Sequence, residues 1–350
     1  MYEKPLEIAG RMVGSGHPCF VIAEAGVNHN GSLDVACELI DTAADAGADA
    51  VKFQTFSTER LVGQDVPKAE YQQSNSGGGS QFEMLRELEL DRRDHEWLIQ
   101  RCREKGIIFL STPFEEQSAD LLNDLDVPAF KIPSGEVPNL PFLEHVARFG
   151  KPMIVSTGMC RLGEVEDAVR AIEGVGNTRF ALLHCVSSYP ADPATANLKA
   201  MQTLSHSFGA PVGFSDHTVG LTVASAAVAL GASIVEKHFT LDRSMPGPDH
   251  LASLEPAELV EFVKAIRTVE SALGNGRKVA MANEANTAEV ARKSLVTAAD
   301  VAAGSVLSAD VITIRRPGTG LPPSMLPYIV NRKAIEDIPA GTVLRLEDVA

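Results

Sequence analysis

Eight short runs rich in β-branched and other apolar residues recur along the first two thirds of the chain, each followed by a stretch with helical spacing. They are FVIAEAG (20–26), AVKFQT (50–55), IIFLSTP (107–113), AFKIPSGE (129–136), MIVSTG (153–158), FALLHC (180–185), VGFSDH (212–217) and SIVEKHFT (233–240). Short apolar runs of this kind, alternating with helical patterns, read as strands of a parallel sheet. In SLDVACELIDTAADAG, Leu33, Ala36, Cys37, Ile40 and Ala44 repeat at helical spacing behind a Ser32 N-cap, and LTVASAAVALG closes on Gly231. Eight βα units predict a closed (β/α)8 TIM barrel, with an open doubly wound sheet as the alternative. In the barrel, the active site lies at the carboxyl ends of the strands.

The pattern changes after SALGNG (271–276). We expect the barrel over residues 1–276, a linker over 277–289 and a small β-rich domain over 290–350. That last segment contains an internal echo, DVAAGSVLSADVI from Asp300 and DIPAGTVLRLEDVA from Asp337, which reads as paired turns. The connection after the second strand, 56–80, contains YQQSNSGGGS and is long enough to predict a substrate lid.

Composition excludes several classes. A net charge of −15 argues against sequence-independent nucleic-acid binding, which needs basic surface. No signal peptide or membrane span is legible, and the longest near-apolar run, 223–235, is broken by serines and a glycine. The five cysteines, Cys19, Cys37, Cys102, Cys160 and Cys185, are odd in number and form no C-x-x-C pair. They read as reduced thiols of a cytoplasmic protein, each more simply a small buried hydrophobe than a nucleophile.

GFSDHTVG (213–220) sets a serine, an aspartate and a histidine side by side. In an extended chain Ser215 and His217 share one face while Asp216 turns away, so this is not a hydrolase triad. The polar residues at the strand ends are more informative: Glu24, Lys52 with Gln54, Lys131 with Ser134 and Glu136, Ser156, Tyr189, Ser215 with His217, and His238. Buried lysines are costly alone, so Lys52 and Lys131 call for an anionic ligand, and Ser134, Ser156 and Ser215 beside them form a phosphate cradle without a P-loop. His217 and His238 fall on adjacent strands and are placed to share a metal such as Mn, Fe, Co or Zn. Asp249, in MPGPDH, is a weaker candidate on the loop beyond the last strand. From the residues alone the reading is a metal-dependent lyase or transferase acting on a phosphorylated anion and a carbonyl compound.

IAEAGVNHNG (22–31), VKFQT (51–55), STPF (111–114), KIPSGE (131–136), STGM (156–159), LHCVSSYP (183–190), GFSDHT (213–218), EKHFT (236–240), PGPDH (246–250) and RRPGTG (315–320) resemble the sialic acid synthases with their antifreeze-like (SAF) carboxy-terminal domain. The resemblance implies condensation of phosphoenolpyruvate with an N-acylated mannosamine-type sugar to give a nonulosonic acid and phosphate. It implies that His217 and His238 hold a divalent metal, Mn2+ before Mg2+ or Co2+. Lys131, Ser134, Ser156 and Ser215 would hold the phosphate and Lys52 the carboxylate of phosphoenolpyruvate. Gln54, Tyr189, Asp249 and Asn75 would contact the sugar. Glu24 would handle protons by the metal and Glu136 would stand near the reacting carbons. Arg316 would reach the sugar's acyl group across a domain-swapped homodimer. The second-strand loop (67–90) resembles that of synthases making N-acetylneuraminate or legionaminate. A metal-dependent hydrolase on the same barrel, and a non-catalytic glycan-binding protein, are the competing readings.

Overall fold

An antiparallel hairpin, β1 (Leu6–Ile8) and β2 (Arg11–Val13), precedes eight strands: β3 (Phe20–Gly26), β4 (Ala50–Thr55), β5 (Ile108–Pro113), β6 (Phe130–Ile132), β7 (Met153–Ser156), β8 (Phe180–Cys185), β9 (Val212–Asp216) and β10 (Ile234–His238). These boundaries come from a computed structural model that describes residues 4–69, 72–73, 75 and 78–350. Glu70, Tyr71, Ser74, Ser76 and Gly77 of the expected lid lie outside the described residues. The eight strands form one sheet in the order β5-β4-β3-β10-β9-β8-β7-β6, and every ladder in it is parallel. Because β5 and β6, the ends of that order, lie against each other, the sheet closes. This is the (β/α)8 barrel that the strand count predicts.

Alternation along the strands sorts the side chains. Outward residues such as Val21, Val51, Phe53, Val155, Leu182 and Val235 pack with the buried faces of the helices in one large cluster. Inward residues near the strand starts, Phe20, Ile22, Ala50, Leu110, Ala129, Ile154, Ala181, Leu183 and Ile234, form a second cluster with Leu6, Ile8 and Val13 of the hairpin. The hairpin therefore fills the amino-terminal end of the barrel, which the sequence reading missed because three-residue strands carry almost no periodic signal. At Gly213 of β9 an added Cβ would stand 2.3 Å from the Ile234 carbonyl oxygen and 2.7 Å from Ile234 Cβ. Only glycine allows that approach.

The connection after β4 has structure of its own: helices Thr58–Leu61 and Gln81–Arg86, the second started by a Ser80–Glu83 capping box. Pro67 and Ser80 bridge its two limbs. Val27, Phe56, Met84 and Leu88, with Leu61, Leu85 and Phe114, make a separate apolar cluster over the carboxyl ends of β3 to β5.

The chain divides into two compact units, the first ending at Gly274 and the second Asn275–Ala350. In the second, helix Ala285–Ala291 precedes an antiparallel pair, β11 (Ser294–Thr297) and β12 (Ile312–Arg315). The echoed segments pair with each other: Val301 bridges Ile338, Asp337 Oδ1 accepts from Ala303 N at 2.7 Å, and Asp300 Oδ1 accepts from Ala340 N at 2.7 Å. Each copy thus caps the other's turn, and Leu295, Leu307, Ile329 and Leu344 lie between them in a small core.

Candidate active site

Above the apolar inner layer the inward positions become polar, and this change is written in strand periodicity. Two residues beyond Ile22 stands Glu24, beyond Ala50 stands Lys52, beyond Ala129 Lys131, beyond Ile154 Ser156, beyond Gly213 Ser215 and beyond Ile234 Glu236. They surround a cavity of about 540 Å³ at the carboxyl ends of the strands. Of the residues predicted from sequence, Glu24, Lys52, Gln54, Lys131, Ser134, Ser156, Tyr189, Ser215, His217, His238 and Asp249 all line it.

Three others do not. Glu136 sits on the 3-10 turn Ser134–Glu136, where its Oε2 accepts a hydrogen bond from Asn139 Nδ2 at 2.7 Å, outside the cavity wall. Asn75 donates to the Pro248 carbonyl at 3.0 Å, tying the connection after β4 to the loop that carries Asp249. Arg316 is exposed on the second unit, just past β12.

The centre of the site is a charge cluster with a member that the sequence reading missed. Glu236 lies between the two lysines: Oε1 is 3.4 Å from Lys131 Nζ and accepts from Ser215 Oγ at 2.9 Å, and Oε2 is 3.6 Å from Lys52 Nζ. Lys52 also meets Glu24 Oε2 at 2.7 Å and donates to Thr112 Oγ1 at 2.9 Å, while Lys131 donates to Ser156 Oγ at 2.7 Å. All of these side chains are buried. Burial, reinforced by the Glu236 charge, raises the pKa of Glu24 against the pull of Lys52. For Glu236, burial is outweighed by Lys131 and Lys52, which lower its pKa. With Glu24 held toward its neutral form, Lys52 and Lys131 face the single ionised carboxylate of Glu236, and burial lowers the pKa of Lys131. The signal for Glu236 was available: in EKH it shares the inward face with His238.

Beside this cluster, Ser134 Oγ accepts from Gly158 N at 2.8 Å. A Cβ at Gly158 would stand 2.3 Å from Ser187 Oγ and 3.0 Å from Ser134 Oγ, so the backbone passes close under the hydroxyls. On the next strands the rings of His217 and His238 lie 5.5 Å apart between centroids, with the Tyr189 ring 4.2 Å from His217. His217 Nδ1 pairs with the Val186 carbonyl at 2.8 Å, which leaves Nε2 as its free lone pair. His238 Nδ1 is buried without a hydrogen-bond partner, 4.0 Å from Asp249 Oδ2. Burial raises the pKa of Asp249 to about 6 and lowers that of His238 far below the ordinary imidazole value, so this ring is neutral. Among the described residues no three His, Cys, Asp or Glu side chains converge on one metal position. The donor set on offer is therefore two imidazoles: His238 is neutral, while the His217 pKa is raised, its burial outweighed by the contacts with Cys185 and the Val186 carbonyl.

The opposite wall differs in kind. Val27, Phe56, Leu61, Val62, Met84, Leu85 and Phe114 present apolar surface, and Gln54, Gln72 and Gln81 present uncharged amides. Among the described residues that line the cavity, Lys52 and Lys131 are the only lysines or arginines. The five cysteines carry no disulfide; Cys185 lies on the cavity wall, 3.9 Å from His217 Nδ1.

Comparison with known proteins matches residues 39–278 to the NeuB family and residues 292–350 to the SAF domain. The N,N'-diacetyllegionaminic acid synthase of Legionella pneumophila is 48% identical over 341 residues, 96% of each chain. The mouse N-acetylneuraminate-9-phosphate synthase is 37% identical, covering 99% of this chain and 97% of its own. Among solved structures, an N-acetylneuraminic acid (sialic acid) synthetase from Leptospira borgpetersenii, in complex with citrate, superposes with a TM-score of 0.73 at 35% identity, over 81% of this chain and 95% of that one.

Proposed function

This chain belongs to the NeuB family and ends in a SAF domain, and from that membership we propose that it condenses phosphoenolpyruvate with an N-acylated mannosamine-type sugar, releasing phosphate and a nonulosonic acid. The observation that carries the reading is the buried Lys52–Glu236–Lys131 cluster with Ser156 and Ser215, a built anion pocket next to the imidazoles of His217 and His238. Lys131, Ser134, Ser156 and Ser215 take the phosphate, and Lys52 takes the carboxylate. The unpartnered Nδ1 of His238 and the free lone pair of His217 fit a divalent cation, Mn2+ before Mg2+ or Co2+, with water or substrate oxygen completing its shell. Such an ion, when bound, polarises the sugar aldehyde.

The chain's own groups do the rest. The lysines and serines hold phosphoenolpyruvate so that its carbon 3 faces the aldehyde carbon, and the new C–C bond leaves positive charge at carbon 2. Glu236, the ionised carboxylate of the cluster, stabilises that charge. Glu24, held toward its neutral form by burial, supplies the proton that the aldehyde oxygen gains. Water adds at carbon 2, losing a proton to Asp249, and phosphate then departs with C–O cleavage. Gln54 and Tyr189 contact the sugar.

For the sugar itself, the apolar wall without a cation favours an uncharged, deoxygenated far end. A 6-phosphate would be left unpaired there, whereas a methyl group would be buried. The substrate we favour is 2,4-diacetamido-2,4,6-trideoxymannose, giving a legionaminate, with N-acetylmannosamine and N-acetylneuraminate next. By resemblance, the working form is a cytoplasmic homodimer in which Arg316 of one copy serves the other.

The experiment is phosphate release from phosphoenolpyruvate with Mn2+ and each of three sugars: the trideoxy diacetamido sugar, N-acetylmannosamine and its 6-phosphate. Mass by light scattering and a chelator control accompany it. We expect metal-dependent release, fastest with the trideoxy sugar, from a dimer, and loss of release in His238→Ala. Glu136→Gln tests the role that resemblance alone gives Glu136: retained activity would remove it from the reaction, and lost activity would bring it in. No release with any sugar from folded, metal-loaded protein would overturn the reading.

A further inference from the structure

Asp216 and Lys237 are the largest charged investment in the barrel that the reaction does not use. Neither lines the cavity, yet their side chains are 0% and 1% exposed and Lys237 Nζ lies 2.8 Å from Asp216 Oδ2. Each immediately precedes a histidine of the site, Asp216 before His217 and Lys237 before His238. Strand alternation points them away from the histidines, to the outer face of β9 and β10.

Their partners reveal what is being held. The β9–β10 ladder ends at the Lys237–Asp216 rung, so His217 lies one residue past the last rung that ties its strand to β10. On the β8 side His217 is fixed by Val186 O on Nδ1 and by Ala191 N donating to its carbonyl at 2.9 Å. On the β10 side the ladder provides nothing beyond Asp216. There Lys237 Nζ donates both to Asp216 Oδ2 and to the Thr218 carbonyl, the residues on either side of His217. Asp216 Oδ1 closes the loop by accepting from Thr218 N at 2.9 Å and Thr218 Oγ1 at 2.8 Å. His238, by contrast, is held in register by its rung to Glu24 of β3.

We propose that the Lys237–Asp216–Thr218 clasp is a positioning device that fixes His217 against His238, and so sets the spacing of the two imidazoles for a divalent cation. The proposal rests on the two-histidine metal reading above. One ammonium on β10 grips both neighbours of His217 just where the ladder stops, so the backbone that carries the ring is held on either side of it. Groups behind a metal ligand commonly tune affinity by 10–100-fold, through orientation rather than through contact with the ion.

The test uses the full chain with Asp216→Asn and Lys237→Met together, because replacing both members of a buried ion pair leaves no orphan charge and need not cost stability. Read-outs are thermal midpoint, Mn2+ affinity by EPR titration, the Co2+ visible spectrum, and kcat and KM. We expect a wild-type-like midpoint, Mn2+ affinity weakened by about 10–100-fold, an altered Co2+ spectrum and a lowered kcat at unchanged KM for phosphoenolpyruvate. Thr218→Val keeps both charges and removes only the Oγ1 bond; it should move the same quantities less far, and it carries the test should the double variant not fold. Unchanged Mn2+ affinity and Co2+ spectrum in a folded variant would overturn the proposal. A wild-type chain that binds no Mn2+ would instead overturn the metal reading beneath it.

Discussion

Glu236→Gln is the most discriminating single change in the site, because stability and anion affinity should move in opposite directions. The amide keeps the shape and can still accept from Ser215 Oγ, but it removes the negative charge 3.4 Å from Lys131 and 3.6 Å from Lys52. At an effective dielectric constant of about 20, each attraction is worth about 4–5 kcal/mol. Part of that loss is offset because a buried carboxylate no longer has to be desolvated. Breaking a buried pair by removing one partner typically costs about 3–5 kcal/mol, and we take the lower end. Phosphoenolpyruvate then meets two ammonium groups without an internal competitor. Glu24, relieved of its like-charged neighbour, ionises and returns some of the gain, so we expect about tenfold tighter binding, or ~1.4 kcal/mol. Urea unfolding with and without inorganic phosphate, and calorimetric titration of phosphoenolpyruvate, measure both quantities. A folded variant that binds phosphoenolpyruvate more weakly than wild type would refute the reasoning that Glu236 competes with the bound anion for Lys52 and Lys131.

Gly158→Ala drives a Cβ into Ser187 Oγ and toward Ser134 Oγ, so KM for phosphoenolpyruvate should rise about tenfold or more with the fold intact; an unchanged KM would exclude Ser134 from the phosphate cradle. Acid should weaken the barrel through His29, whose pKa burial lowers to about 4. Its folded pKa lies below the ordinary imidazole value, so the unfolded chain binds more protons and stability falls as pH drops through 6.5 toward 4. Between pH 7 and 5 this amounts to about 2 kcal/mol, and buried His95 shifts the same way. Urea midpoints at the two pH values test it, and a His29→Gln variant should have a flatter profile.

The barrel was legible because its strands are short, apolar and bounded by caps; β3, β4 and β8 match the expected limits residue for residue. The site was legible for the same reason: a period of two decides which strand-end residues face inward. Where that rule was applied it found Lys52, Ser215 and His238, and where it was not, in the same EKH triplet, Glu236 was passed over. Glu136 was read as a strand-end residue and given its role by resemblance, and a 3-10 turn, which follows no strand alternation, carries it onto Asn139. The clasp on Thr218 was only half visible. Alternation turns Asp216 outward, but nothing in a linear sequence reveals that Lys237 meets it there. The echo around Asp300 and Asp337 was readable as a repeat, while the reciprocal capping of its turns needed coordinates.

The hairpin that fills the barrel's amino-terminal end has an electrical consequence. The strand positions around it, Ala50, Ala129 and Ala181, are small, and the volume they leave is taken by Leu6, Ile8 and Val13. Those three residues act as insulation, keeping water from reaching the Lys131–Glu236 pair from below and holding the local permittivity down. Trimming the amino terminus is thus also a change to the active-site field, made from the far side of the barrel. It would register as a weaker salt-resistant component of phosphoenolpyruvate binding, even though no residue that touches the substrate has been altered.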